Sequence, residues 1–325
     1  MIDSLPLIWA GLISFIILSY VVLDGFDLGV GINFLFFHKE NERDVMMNSI
    51  APVWDGNETW MVLGAACLYA AFPVAFSTLL PYLYIPINLM VFFLIFRGAC
   101  FEFRFKDENH KKFWSILFSF SSFCIAFLQG YILGNILTGV SPNGHSLTLL
   151  SFISGVGVVI GYSLLGLTWL IHKTSNELQT SIYQCAKYNT ILLALFFAII
   201  SIISPLSSQH IYDRWFSIPE IYYLISLPII SIILFVWLGM ALNAHKEKAP
   251  FRLAIALFVL AYLGQCYSVW PYIVPYKITF SAAASPSESL IFMLIGVVLL
   301  LPILIGYTIY TYHTFKGKTD EQHYH

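Results

Sequence analysis

This sequence predicts an all-α polytopic membrane protein with nine transmembrane helices, and three observations carry that prediction. Of its 325 residues 58% are hydrophobic and only 10% charged, with mean hydropathy +0.78, whereas a soluble domain is about a quarter charged. Nine apolar runs approach the roughly 20 mainly apolar residues that a span requires. Lys and Arg fall almost wholly in alternate connections, the bias of loops kept on the inner side of a membrane.

The first run, Leu7–Gly31, is expected to continue toward Phe37 below the bilayer. No Lys or Arg precedes it, Asp3 does, and no small-residue cleavage site stands before Asp24. It is therefore expected to stay in the mature chain as a helix and not to be removed as a signal peptide. Trp54–Phe76, Tyr82–Phe103, Phe113–Leu137 and Leu149–Ile171 follow as spans two to five. Gly130, Gly134 and Gly139 weaken the helix end between the fourth and fifth, where boundaries are expected to shift. Ala186–Ile203, Ile221–Leu242, Phe251–Tyr272 and Ser289–Tyr312 complete the set, leaving residues 313–325 as a tail. The whole reads as one integral membrane domain, residues 1–137 holding the charge and residues 149–312 adding five helices. Two four-helix bundles plus one peripheral helix is the packing expected.

Loop charge sets the orientation. The connections on the N-terminal side carry Arg214 and Lys277. The opposite side has Lys39, Arg43, Arg104, Lys106, Lys111, Lys112, Lys173, Lys187, Lys246, Lys248, Arg252, Lys316 and Lys318. Positive loops stay in the cytoplasm, so the N-terminus is expected in the periplasm and the C-terminal tail in the cytoplasm.

Three stretches break the apolar pattern: D-G-F-D-L-G-V-G at 24–31, W-D-G-N-E-T-W at 54–60 and F-R-G-A-C-F-E-F-R at 96–104. Asp24 and Asp27 lie three apart on one helix face, as do Asp55 and Glu58. With antiparallel spans, these pairs and Arg97 and Glu102 meet at one level, near the inner face. A charge in hydrocarbon costs at least a few kcal/mol and so faces a protein interior or a wet cavity. Five acids (Asp24, Asp27, Asp55, Glu58, Glu102) against Arg97 and Arg104 are too unbalanced for a purely structural ion-pair cluster. Protonatable acids beside Asn57 and Thr59 suit a proton relay. The blander reading, helix capping or a wet headgroup position, is open for Asp55, Asp24 or Asp27 singly and weak for the set.

Several function classes drop out. Formal net charge is −2, which offers no basic surface for nucleic acid. Cys67, Cys100, Cys124, Cys185 and Cys266 show no metal or redox spacing. The nine histidines (His38, His110, His145, His172, His210, His245, His313, His323, His325) fall in loops, span ends or the tail, away from where an axial haem ligand would stand. G-x-x-x-G-x-G at Gly25, Gly29 and Gly31 follows no strand, so close helix packing is a better account than a nucleotide loop. Trp54 and Trp60 could stack a quinone ring, though interfacial anchoring is the commoner role of such residues. Gln129 and Asn135 are expected to hydrogen-bond neighbouring helices.

These three stretches, with N-S-I-A-P-V at 48–53, W-P-Y-I-V-P at 270–275, A-A-A-S-P-S at 282–287 and Gly317-Lys318, resemble subunit II of the bacterial cytochrome bd quinol oxidases, including the cyanide-insensitive branch. The resemblance runs from the first span to the last. It implies nine helices, a haem-bearing polytopic subunit I as partner with haems b and d, and residence in the bacterial inner membrane. It implies oxidation of quinol and reduction of O2 to water with cytoplasmic protons, with room for a small accessory subunit and a bound quinone. By similarity Asp55 takes up cytoplasmic protons, Asp24, Asp27 and Glu58 continue the relay, and Arg97 and Glu102 support it, with Trp54, Asn57 and Trp60 around them.

A reading from another class is a self-sufficient proton-coupled transporter. That would show helices broken at mid-bilayer, matched in the two halves. The polar cluster lies in one half and off-centre, which favours the oxidase subunit.

Overall fold

The computed structural model describes residues 4–139 and 148–319. Helix α1 spans Leu5–Asn33, opened by Pro6 in its first turn, where the missing N–H costs nothing, and closed by a 3-10 turn at Phe34–Phe36. The short α2 (Glu40–Asn48), α3 (Trp54–Ala71), α4 (Pro73–Tyr82), α5 (Tyr84–Phe103), α6 (Lys111–Thr138) and α7 (Leu149–Lys173) follow. Then come α8 (Asn176–Ser207), α9 (Gln209–Phe216), α10 (Glu220–Leu224), α11 (Ser226–Asn243) and α12 (Ala249–Val269). A small antiparallel hairpin, β1 (Tyr272–Val274) with β2 (Ile278–Thr279), leads through α13 (Phe280–Ala283) to α14 (Ser287–Thr314).

Among the described residues eight helical segments are long and apolar enough to cross a membrane. A ninth results if α3 and α4, bent by 120°, count as one broken span. That bend shortens the second span, expected to reach Phe76. Pro73 disfavours helical backbone at Phe72, which adopts φ −132° and ψ 62°. The seventh span stays a single span, Glu220–Asn243, with only a one-residue break in its helix at Ile225, where Pro228 lacks the N–H that would reach Leu224.

Packing follows the small residues, since lipid tails remove the hydrophobic drive between helices. Helix α7 is the hub, 61% of its apolar window being buried. A Cβ on Gly29 of α1 would stand 2.7 Å from the Gly166 nitrogen of α7 and closer still to the Tyr162 carbonyl oxygen. A Cβ on Gly134 of α6 would come 2.4 Å from Ser151 Cα. The expectation that Gly130 and Gly134 weaken the end of span four is therefore corrected. α6 continues through both to Thr138, and these glycines are where α6 touches α7.

Helices α1, α3, α5 and α6 form one group and α7, α8, α11 and α12 a second, joined where α1 and α6 pack on α7. Helix α14 lies outside against α3 and α1, with Phe292 79% and Ile303 72% exposed. At one end the Ser285 N–H donates to the Ala71 carbonyl at 2.9 Å. At the other, the chain after α14 is strapped to the α7–α8 turn. Lys173 Nζ donates to the Phe315 and Gly317 carbonyls, and the Thr319 N–H donates to the Lys173 carbonyl at 2.9 Å. Lys318 Nζ donates to the Thr174 carbonyl at 2.7 Å and pairs with Glu247 at 2.9 Å. Gln179 and then Lys318 hold the Glu247 carboxyl below the usual carboxylate range. Of the tail expected at 313–325, residues 320–325 lie outside the described residues, as do His145, His323 and His325.

Candidate functional site: a buried carboxylate cluster

The first three spans do bring their charges together. Asp24 and Asp27 of α1 and Arg97 of α5 have almost no exposed surface. Arg97 donates through Nη1 to Asp24 at 2.5 Å and through Nη2 to Glu58 of α3 at 2.7 Å. The fork shape of a guanidinium suits this bridging of two acids. Asp27 has a different partner. Its Oδ2 accepts from Asn57 Nδ2 at 2.7 Å, and Asn57 Nδ2 also reaches the Leu23 carbonyl at 3.2 Å. Tyr312 of α14 donates to Asn57 Oδ1 at 2.9 Å.

Three acids thus stand around one base that pairs with only two of them, Asp24 and Glu58, and the buried Asp24 Oδ2 and Asp27 Oδ1 have no protein partner. A carboxyl whose side-chain contact is a neutral amide can take up and release a proton without breaking an ion pair. Asp27 meets that condition and Asp24 does not. On the far side of Asp24, the fifth span supplies a polar chain: Tyr162 of α7 donates to Gln129 of α6 at 2.6 Å, and Gln129 to Tyr20 of α1 at 2.7 Å. Gln129 and Asn135 both reach other helices, the latter accepting from Tyr82 at 3.5 Å.

Other residues expected here stand apart. Asp55 is exposed, one turn before Glu58 on the same helix face. Glu102 has a side chain 64% exposed and pairs with Lys106 at 2.9 Å, not with Arg97. Its place five residues after Arg97 turns it away from the cluster. Arg104 is buried in a second group, donating to Asp44 at 2.6 Å, Glu40 at 3.0 Å and Ser115 at 3.0 Å, with Lys111 on Asp44 at 2.8 Å. That group ties α2 to the ends of α5 and α6, and its acids come from a stretch that reads as loop in the sequence. Trp54 stacks on Phe101 at 4.6 Å and 6°. Trp60, 2% exposed, meets Phe15 edge-on at 6.0 Å.

Tyr312, Tyr20 and Tyr162 were not legible as site residues. Tyrosines are abundant in this chain, and no spacing links residue 312 to residue 27. Among the described residues no group of three or more His, Cys, Asp or Glu is placed to hold a metal ion.

Comparison with known proteins agrees with this architecture. The family described as cytochrome bd terminal oxidase subunit II matches residues 5–315. Cytochrome bd ubiquinol oxidase subunit 2 of Bacillus subtilis is 29% identical, over 98% of both chains. Cytochrome bd-I ubiquinol oxidase subunit 2 of Escherichia coli K12 is 25% identical, over 98% of this chain and 96% of that one. A chain of the bd oxidase from Geobacillus thermodenitrificans has the same fold at TM-score 0.77 and 16% identity, covering 96% of this chain and 98% of that one. With nearly every residue from the first span to the strap inside the match, the chain belongs to the cytochrome bd terminal oxidase subunit II family.

Proposed function

We propose that this chain is the haem-free subunit of a bd-type quinol oxidase and that its buried acids deliver cytoplasmic protons for the reduction of O2 to water. Haems b and d, on the companion subunit I, supply electron transfer and oxygen chemistry. This chain supplies a proton path and a scaffold. The observation that carries the reading is the Asp24–Arg97–Glu58 and Asp27–Asn57–Tyr312 constellation, buried within the helical bundle with two carboxylate oxygens unpaired.

Each residue then has a task. The exposed Asp55, on the Lys/Arg-rich side placed in the cytoplasm, collects protons from water. Glu58, whose side chain is 23% exposed, passes them inward. Arg97 keeps Glu58 and Asp24 in place and offsets part of their charge. Asp27, held by a neutral amide, accepts and releases. Trp54 and Trp60 are committed to ring contacts with Phe101 and Phe15 and pack the cluster. Neither a bound quinone nor a small accessory subunit is needed for this path.

The transporter reading loses its main support. One broken span exists, at Phe72, but among the described residues no second bent pair matches it, and the relatives are oxidase subunits. Asp55→Asn in the assembled oxidase tests the proposal. Turnover should fall while the haem spectrum of the complex stays, because the group moves protons and holds no cofactor. Unchanged turnover over a broad pH range would remove Asp55 from the path.

A further inference from the structure

Helix α14 is the least buried span, with 6% of its apolar window covered, yet it sends Tyr312 into the acid cluster. The hydrogen-bond roles around Asn57 follow by elimination. Leu23 offers a backbone carbonyl, which only accepts, so the amide atom facing it is the NH2 group. That group also faces Asp27 Oδ2 at 2.7 Å. Asn57 Oδ1 therefore faces Tyr312 at 2.9 Å, and the tyrosine hydroxyl is the donor. One oxygen of Asp27 is held by the amide, and the other, Oδ1, is buried without a protein partner.

Tyr312 is itself fixed. Its ring meets Phe26 and Trp169 edge-on at 6.3 and 5.9 Å, and the strap at Lys173 and Lys318 begins three residues later. Beside it, in the seam between α3 and α14, lies a recess of about 10 Å³ with Gly56, Thr308 and Thr311 in its wall alongside Asn57 and Tyr312. That is close to the space one water centre occupies.

We infer that Tyr312 is a positioning residue for Asp27: acting through Asn57, it sets which carboxylate oxygen is held and which exchanges a proton. The O–H bond forms and breaks at Asp27 Oδ1, while Asn57 and Tyr312 keep their own protons. The inference rests on the relay reading proposed above.

The test uses the complete oxidase with its companion subunit. Redox-induced infrared difference spectra identify the Asp27 carboxyl band as the one absent from Asp27→Asn. Tyr312→Phe keeps the ring packing and removes the donor. It should move that band and lower turnover about fivefold, the factor for one lost neutral hydrogen bond. Tyr310→Phe, 68% exposed on the same helix, should do neither. If Tyr312→Phe yields no complex, Asn57→Leu breaks the same link and should move the same band. An unmoved band in the variant that assembles overturns the inference and leaves the relay standing, provided Asp27→Asn is slow. Wild-type turnover in Asp27→Asn, or no band depending on Asp27, overturns the relay itself, and the inference falls with it.

Discussion

The Arg97 guanidinium and the Asp24 carboxylate, neither with any exposed side-chain surface, lie 2.5 Å apart between α5 and α1. Glu58, on α3, shares the same guanidinium. One cation therefore holds three antiparallel helices at a single point.

Removing that cation should undo the assembly. Breaking a buried pair by deleting one partner costs about 3–5 kcal/mol, because the remaining charge is stranded. Arg97→Leu is expected to lower the yield of haem-containing complex from membranes severely, whereas Lys246→Ala, at an exposed turn, should not. Equal yields would contradict the bridging role.

Glu102 and Glu58 should separate cleanly. Glu102 sits on the surface with Lys106, and an exposed pair contributes about 0–1 kcal/mol. Glu102→Gln is expected to leave oxygen consumption and thermal stability unchanged, while Glu58→Gln slows oxygen consumption. A slow Glu102→Gln enzyme would return that residue to the path.

The contact between α1 and α7 predicts a sharp steric effect. In Gly29→Ala the new methyl would overlap the Tyr162 carbonyl, and the helices must part. Complex recovered in detergent should melt several degrees lower or fail to form, whereas Gly239→Ala, with nothing within 4 Å of its Cβ, should behave as wild type. Thermal melts monitored by haem absorbance distinguish the two.

The strap carries a pH dependence. The Glu247 carboxyl lies lower in the folded chain than its ordinary value of about 4.3. Its contribution is thus complete above that pH and is lost as pH falls through the folded value. A spin label at Lys316 should be restrained at pH 7 and gain mobility as pH falls through the lowered Glu247 value, and Lys318→Met should show part of that mobility at pH 7. A label equally free at all pH values would mean that the strap does not form.

Much of this was legible in the sequence because the membrane simplifies the code. Charge inside an apolar run has few explanations, so Asp24, Asp27, Glu58 and Arg97 announced themselves, and antiparallel spans placed them at one level. The grouping erred where a helix end mimics an intramembrane charge: Glu102, five residues after Arg97, is turned about 140° away from it, while Arg104, seven residues on, shares its face but lies about 10 Å further along the helix. The fifth span has no Asp, Glu, Lys or Arg to mark it, yet it is the packing hub because Gly166 and its neighbours allow backbone contact. Tyr312 was hidden for a further reason, since its partner is 255 residues away and no local pattern records so distant a contact.

The most direct test of the central claim is proton uptake from the inner face by the complete oxidase in sealed vesicles, followed together with oxygen consumption, for the double variant Asp27→Asn, Glu58→Gln. If the buried acids carry the protons, both rates fall at least about tenfold while haem absorbance is unchanged. Wild-type uptake with both carboxyls gone would contradict the account.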